Sequence, residues 1–550
     1  MEQVRILIAI GLCLLVFLAW DIFFTEKKPV KTPEKITAPK EDTIASSEIP
    51  KQEEIILNKK AEYSDKAETA YKPIRTIEVE TPFYTAKLSE KGALFKSFLL
   101  KKYREKVDLD SPPLEMIDKQ VAGTVLLDFE KTGVSNINSS QFAANVSEDR
   151  ITVKDKPQTI VFRNTSSKGI TIDKSFTFLP DSYIIDVFVT VTNSLGTPFQ
   201  DSLIISLLNS MPSEKAASGF TGPSALLNDK LENIEIKKIK DKNNFFGKIN
   251  WIAFQNTYFI SSIIPQNPVE AGFHLDILDA KFISSRYIQP IDTFNPGAGR
   301  QYKFKLYFGP KDTSLLKSFH NGLEKAADFG MFDFLAKPCL WLLKTLYGII
   351  PNYGVDIIIL TIIIKLLLWP LGSKSYKSMN EMKRIQPLMA EIREKYKNDK
   401  KKMNEEVMCL YRSYKVNPMG GCLPLLLQIP VFFALYRMLY EAIELRHAPF
   451  IGWINDLSAP DRLFRFGFSI PFMQAPYGIP VLTIVMGATM FIQQKMSPPA
   501  GDPTQAKMMM LMPIVFTFIF INFSSGLVLY WLINNILSIA QQYYIQKKYA

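Results

Sequence analysis

Cysteine, histidine and nucleotide-binding signatures are scarce or missing, and each gap closes off a class of protein. Of 550 residues, four are cysteine and three histidine. No cysteine lies between Phe24 and Pro338, so the long stretch between them holds no internal disulfide. Cys13 and Cys422 fall in apolar segments, Cys409 in a charged loop and Cys339 in an amphipathic stretch. That spacing fits neither a disulfide framework nor a metal site, and all four read as structural. Neither G-x-x-x-x-G-K-[ST] nor H-E-x-x-H occurs, and Gly247-Lys248 is followed by Ile249. No cofactor, metal or enzymatic activity is therefore expected, and His274 and His320 read as ordinary structural residues.

What is present divides into two regimes. From about Lys72 to Thr313 short runs alternate polar with apolar, as in Thr76-Ile77-Glu78-Val79-Glu80 and Asp186-Val187-Phe188-Val189-Thr190-Val191. Period-two alternation between Asn, Gly and Pro clusters predicts antiparallel strands with one buried face, and this length predicts a large β-sandwich. After Gly354 long apolar runs recur and charges collect between them. A net charge of +11 with no nucleic-acid motif fits a membrane surface rather than a nucleic acid.

The N-terminus has Arg5 followed by apolar residues from Ile6 to Trp20 and no small-residue cleavage site, which predicts an uncleaved signal anchor over residues 1–24. Residues 25–71 mix nine Lys with ten acids and four Pro, a composition too polar to bury a core, and are expected to form a disordered tether. The β-domain is expected over 72–325. Residues 326–353 follow, where Phe334, Leu335, Leu342, Leu343 and Leu346 lie among charges. They predict either an amphipathic helix in the membrane interface or a short core helix on the β-domain.

Five further apolar spans are predicted at about Val355–Leu371, Leu423–Tyr440, Ile479–Ile492, Met508–Phe523 and Gly526–Gln541, within a core of 354–550. The fold class is thus an α-helical polytopic membrane protein of six transmembrane helices carrying a large all-β periplasmic sandwich. Gly372–Gly421 holds twelve Lys and Arg against six acids, which makes this loop cytoplasmic, and six spans then place both termini on the same side. Inside the loop Met382, Ile385, Met389, Ile392 and Tyr396 recur at helical spacing, as do Met403, Val407, Leu410 and Tyr414 after Asn398-Asp399. Two such seams predict an antiparallel helical hairpin over 373–417. Its methionines either pack along the seam or adapt to partner helices.

Lys365 lies within Ile362-Ile363-Ile364-Lys365-Leu366-Leu367-Leu368. A cation at a helix centre costs ~2.5–3.5 kcal/mol, so it normally faces protein or water. Thr361 and Trp369 lie one turn to either side and predict a stripe on one face. The alternative is that the lysine snorkels toward the span's end near Pro370. Gln428, Thr483, Thr489, Thr517, Asn534, Asn535 and Ser538 are further polar groups within the spans. They either hold helices together or line a wet cavity with Lys365.

Asn417-Pro418-Met419-Gly420-Gly421-Cys422-Leu423-Pro424-Leu425-Leu426-Leu427-Gln428-Ile429-Pro430 resembles the third-span signature of the YidC insertase family. Glu444-Leu445-Arg446-His447-Ala448-Pro449-Phe450 with Trp453-Ile454-Asn455-Asp456-Leu457-Ser458 resembles its outside loop, and Ser525-Gly526-Leu527-Val528-Leu529-Tyr530 the start of its last span. The match is colinear from about Phe334 to Gln542, and the β-domain with its anchor resembles the Gram-negative branch.

This resemblance implies an insertase and chaperone of the bacterial inner membrane, with the large domain in the periplasm. Five helices would surround a hydrophilic groove open to cytoplasm and lipid. Lys365 stands where the family carries an arginine, and Thr361 and Gln428 match polar groove positions. Trp531 replaces a tyrosine on the last span, beside Tyr530 and Asn534; Thr517 completes the expected groove set. Implied partners are nascent membrane proteins, the phospholipid bilayer, the Sec translocon and, because the tail Gln546-Lys547-Lys548-Tyr549-Ala550 is short, a ribosome reached through the cytoplasmic loops. Met382, Met389, Met403 and Tyr414 are the expected contact residues of the hairpin. The runner-up is a secondary transporter coupling ions or protons through Lys365, although no second segment repeats the Lys365 span. The β-domain resembles a sugar-binding supersandwich, which carries no activity with it.

Overall fold

Strict alternation builds the first half of the chain. In a computed structural model, residues 74–549 are described except 109, 132–135, 167–168, 213–218, 415, 417–422 and 497–502. The expected anchor, the tether and the first residues of the third-span signature lie outside that set. Strands such as Ile170–Phe178 and Ile184–Asn193 bury every second residue. They belong to a 13-stranded sheet in which Phe259–Pro265, Gly299–Pro310, Ile184–Asn193, Ile170–Phe178 and Gln158–Thr165 are successive antiparallel neighbours. A five-stranded sheet containing Tyr84–Ser89 and Leu94–Arg104 covers it. The two inner faces meet through aromatic pairs, among them Phe95–Phe176 at 5.2 Å and Phe98–Phe308 at 5.0 Å between ring centroids. This is the expected sandwich.

One inward position of Ile170–Phe178 is occupied by a lysine. Lys174 is buried, and its Nζ donates to the carbonyls of Gly92 at 2.9 Å, Ala93 at 3.3 Å and Val125 at 3.2 Å. All three acceptors hold a left-handed backbone, with φ of 73°, 48° and 64° respectively. For Val125 that conformation is costly, because its branched Cβ crowds the carbonyl. The lysine therefore fastens the turns that bring the small sheet onto the large one. Burial pushes its amine down to about 7.

The second half is helical. Helix α1 (Thr313–Ser318) is capped by Asp312, and α2 (Asp333–Tyr347) follows after two short 3-10 turns. Asn352 caps α3 (Tyr353–Leu367) by accepting from the amides of Gly354 and Val355. At Leu368 the chain bends by 65° into α4 (Trp369–Lys395). Pro370 explains the break, since proline suits a helix's first turn but cannot donate to the preceding one. Asp399 caps α5 (Lys400–Ser413), and α6 (Leu423–Glu441), α7 (Val481–Met496), α8 (Pro503–Phe520) and α9 (Ser525–Tyr549) complete the order. Among the described residues no single helix is long and apolar enough to cross a membrane, but α3 and α4 pass that test together.

Three expectations need correction. The linking helix is confined to Asp333–Tyr347 rather than 326–353, and its inward residues Ala336, Leu340 and Leu343 join the helical core instead of lying only on the β-domain. The hairpin's first arm starts at Trp369, so it continues from α3 without a loop. Tyr414, expected on the hairpin seam, is 56 % exposed. Val407 and Leu410 pack there as predicted, beside Met382, Ile385, Met389 and Tyr411, but the helix of the second arm ends at Ser413 and Tyr414 is its cap.

The β-domain and the helices are joined by polar contacts and one apolar peg. Lys344 of α2 pairs with Asp312 at 3.2 Å and with Glu444 at 3.0 Å, Tyr258 Oη donates to the Tyr440 carbonyl at 3.1 Å, and Ile443 inserts into the β-domain core. Burial raises the Glu444 carboxyl above its ordinary range although Lys344 opposes it. Burial also works against the Lys344 charge, but Glu444 and Asp312 outweigh it and hold the ammonium above its usual value. Lys344→Met leaves two carboxylates facing each other without a cation, at a cost on the order of a few kcal/mol. Hydrogen exchange should then rise over 441–447 and stay unchanged in Ile170–Phe178; unchanged exchange at 441–447 would show the joint does not depend on this cation.

Candidate functional site

Polar groups on α9 recur on one side of the helix. Tyr530, Asn534, Ser538 and Gln541 succeed one another at three- and four-residue steps, the spacing that keeps side chains on one face. Tyr530, Asn534 and Asn535 meet α6, α7 and α8 around a cavity of about 260 Å³. Its polar lining comes from Gln428, Gln493, Gln494, Asn534 and Asn535, and Phe432, Phe516 and Trp531 supply much of the apolar wall. The Tyr530 hydroxyl hydrogen-bonds to Gln428, and Asn535 Nδ2 donates to Thr489 Oγ1 at 3.3 Å. Amides in apolar surroundings need partners, so a wall of them suits water or a passing polar chain better than hydrocarbon. Close approach of α7 and α8 completes the wall, and a Cβ at Gly487 would collide with the Thr517 side chain.

Lys365 reaches this wall through hydrogen bonds. Its Nζ donates to Ser538 Oγ at 2.6 Å, and Ser538 Oγ donates to the Asn534 carbonyl at 2.7 Å. The Tyr376 hydroxyl bonds to both Ser538 and Gln493, and Gln493 also lines the cavity. A continuous polar track therefore runs from the α3 lysine through α4 and α9 to the amide-lined space. Lys365 is half-buried, and among the described residues no carboxylate pairs with it. Gln541 extends the track by donating to the Trp369 carbonyl at 3.1 Å and to Ser373 Oγ at 3.3 Å.

The structure separates the sequence-predicted residues into two groups. Gln428, Tyr530, Trp531 and Asn534 gather around the cavity, with Lys365 joined to them through Ser538. Thr361 is buried and spends its hydroxyl on the Ile357 carbonyl at 2.6 Å, and Thr517 does the same with Pro513 at 2.7 Å. Both satisfy their own helix and present no free donor to the cavity. Of the expected stripe, Thr361 and Lys365 share α3, whereas Trp369 lies past the bend at Leu368 as the first residue of α4. Met382 and Met389 pack inside the hairpin, and Met403 is half-buried.

Tyr376 and Gln493 escaped the sequence reading because both fall just outside the predicted spans, Tyr376 in the basic loop and Gln493 one residue past Ile492. Paired amides at Gln493-Gln494 ending an apolar run were the available signal. Asp356 was also passed over. It is buried in the first turn of α3, where the helix N-terminus favours negative charge.

Comparison with known proteins places both halves together. A family described as 60Kd inner membrane protein matches residues 345–550, and one described as YidC periplasmic domain matches residues 76–342. The chain is 42 % identical over 555 residues to a membrane protein insertase YidC of Syntrophobacter fumaroxidans, covering 99 % of each. It is 45 % identical over 477 residues to the protein of the same name from Syntrophus aciditrophicus, covering 86 % of this chain and 85 % of that one. Among solved structures, an active YidC insertase is similar at 18 % identity with a TM-score of 0.37, covering 86 % of this chain and 95 % of that one. A galactose mutarotase-like protein of Lactobacillus casei is similar over 42 % of this chain at 12 % identity, with a TM-score of 0.29.

Proposed function

This chain belongs to the YidC family of membrane protein insertases, and from that premise we propose that it passes the polar flank of an incoming protein through the amide-lined cavity, drawn by Lys365. It is an inner-membrane protein with a periplasmic β-domain. The physical task is to move polar residues across hydrocarbon while an apolar segment stays dry. A track of Gln, Asn, Ser and Tyr side chains ending on a lysine offers the flank hydrogen bonds and a positive charge in a medium that screens less than bulk water. The apolar segment partitions sideways into lipid, and that transfer supplies the favourable free energy.

The observation that carries this reading is the link from Lys365 through Ser538 and Tyr376 to the cavity wall. Helix length adds to it. At 15 and 16 residues, α3 and α7 are about 22–24 Å long against a hydrocarbon core of ~30 Å. Short helices favour local thinning of the bilayer, which shortens the path. In this reading the six spans include the N-terminal anchor, both termini and the α4–α5 hairpin are cytoplasmic, and α2 lies in the interface with Phe334 and Trp341 outward. Basic residues along the hairpin suit contact with a ribosome, and the Sec translocon is a second partner by family analogy.

Purified chain reconstituted alone in lipid vesicles should protect the translocated flank of a small single-span protein from added protease. Protein-free vesicles should leave the flank digestible. Equal digestion with and without the chain would overturn insertion by this chain alone.

A further inference from the structure

Between α6 and α7 the chain forms a small hairpin of strands Leu463–Phe466 and Tyr477–Ile479. Its base is fastened on two sides. Arg462 donates to the carbonyls of Pro476 at 2.9 Å and Ile521 at 2.8 Å, and Asn522 accepts from the Gln474 amide and donates to the Phe472 carbonyl, each at 2.8 Å. Asp461, buried beside Arg462, accepts from Trp453 Nε1 and from the Leu482 amide in the first turn of α7. The hairpin is thus built rigidly onto the start of α7 and the α8–α9 turn.

Its outer part is aromatic and faces away from the protein. Phe464, Phe468 and Phe472 are 67, 64 and 86 % exposed, and the rings of Phe466 and Phe468 stack at 5.3 Å. Phe464 and Phe472 also hold left-handed backbone, φ 54° and 63°, which a bulky residue adopts only when its surroundings impose it. A rigid base presenting three phenylalanines to water would be an unusual expense for a soluble surface.

We propose that this hairpin is a membrane foot, inserting Phe464, Phe468 and Phe472 into the leaflet on the β-domain side, with the exposed Arg465 meeting anionic headgroups. The occupant follows from two observations. Leu463 pairs with Ile479, two residues before α7, and α7 continues the exposed apolar surface through Ile484 and Val485. The hairpin therefore stands where that lipid-facing surface begins. From Leu463 to Pro480 the one charged residue is Arg465, so the charge complements acidic lipid rather than a basic partner. The proposal rests on the membrane reading of α7. It adds a fixed contact that sets the depth of α7 and α8 beside the cavity.

The test uses the full chain with its four cysteines replaced, carrying a nitroxide at Phe468→Cys or Phe472→Cys, in dilute vesicles of phosphatidylethanolamine and phosphatidylglycerol. Collision with oxygen, which concentrates in lipid, is compared with collision with a water-soluble nickel chelate. Val485→Cys serves as the lipid reference and Lys230→Cys on the β-domain as the water reference. The expected oxygen-to-nickel ratio at both hairpin sites is several-fold above that at 230 and close to that at 485. A hairpin ratio equal to that at 230, with 485 still lipid-like, overturns the foot alone; a water-like ratio at 485 as well overturns the membrane reading of α7. A lipid-like hairpin ratio that appears only after a client protein is added, or only at high protein density, assigns the surface to a client or to a second copy and also overturns the proposal. A chain with all three phenylalanines replaced by serine should keep its β-domain melting transition and lose the vesicle-dependent protection of 463–479 from protease; retained protection counts against the foot.

Discussion

Lys365→Glu is expected to reduce insertion of a client with an acidic flank by at least about tenfold, Lys365→Ala by somewhat less, and Lys365→Arg hardly at all. Two charges ~4 Å apart at an effective dielectric of ~20 attract by about 4 kcal/mol, so losing a third of that from the barrier already costs about tenfold in rate. Arginine keeps the charge and adds a planar donor fork, which a carboxylate accepts well. The effect should follow flank charge: clients with neutral flanks lose little with any of the three substitutions. Ser538→Ala removes the oxygen that holds Nζ beside the wall and leaves the charge, so it should lower insertion less than Lys365→Ala. Protease protection of matched acidic- and neutral-flanked clients in vesicles measures all of this. Full activity of Lys365→Ala on the acidic client would mean that the lysine only snorkels.

Lys174→Met is expected to destabilise the β-domain by several kcal/mol, a large share of a domain's ordinary 5–15 kcal/mol. Methionine nearly matches the volume, so the loss isolates the amino group. It leaves the carbonyls of Gly92, Ala93 and Val125 without this donor in a dry core, at about 1–3 kcal/mol for each one left unsatisfied. For a domain of this size the midpoint of the β-signal in a thermal melt should fall by about 10 °C or more. The pH dependence has a definite sign. Burial holds the Lys174 amine at about 7, below its unfolded value of 10.5. The unfolded chain therefore takes up the proton first as pH falls from 10.5 toward 7, and stability from this group declines across that window. The gap between the parent and Lys174→Met should widen when denaturant midpoints are compared at pH 7 and pH 9. A constant gap would show that the amine does not titrate there.

The α4–α5 hairpin illustrates how far periodicity reaches. Met382, Ile385 and Met389 pack as their spacing predicted, because an α-helix repeats its face every three or four residues whatever surrounds it. Tyr414 did not, because the second arm's helix ends at Ser413 and the period no longer holds at its cap. The same division holds for the apolar helices. Leu423–Tyr440 was predicted and Leu423–Glu441 is found, while the expected end of the first core span at Leu371 falls beyond the bend at Leu368.

Sequence alone determined the elements whose signal is local: the alternating strands of the sandwich, the apolar helices, the basic hairpin and a lysine within the first apolar span, which the structure places in the last turn of α3 rather than at the helix centre. These follow from backbone periods of two and 3.6 residues and from the cost of charge in hydrocarbon, which act over a few neighbours. Tertiary structure alone decided which polar groups meet. Lys365 finds Ser538 across 173 positions, Lys174 finds Gly92 across 82, and Tyr376 reaches Gln493 from a segment that its own composition assigns to a cytoplasmic loop. Alternation placed Lys174 inside but could not supply its acceptors, and Thr361 sat at the right spacing yet satisfied its own helix. A buried polar atom must find a partner within about 3 Å, and that distance is set by how distant segments pack, a quantity with no period along the chain.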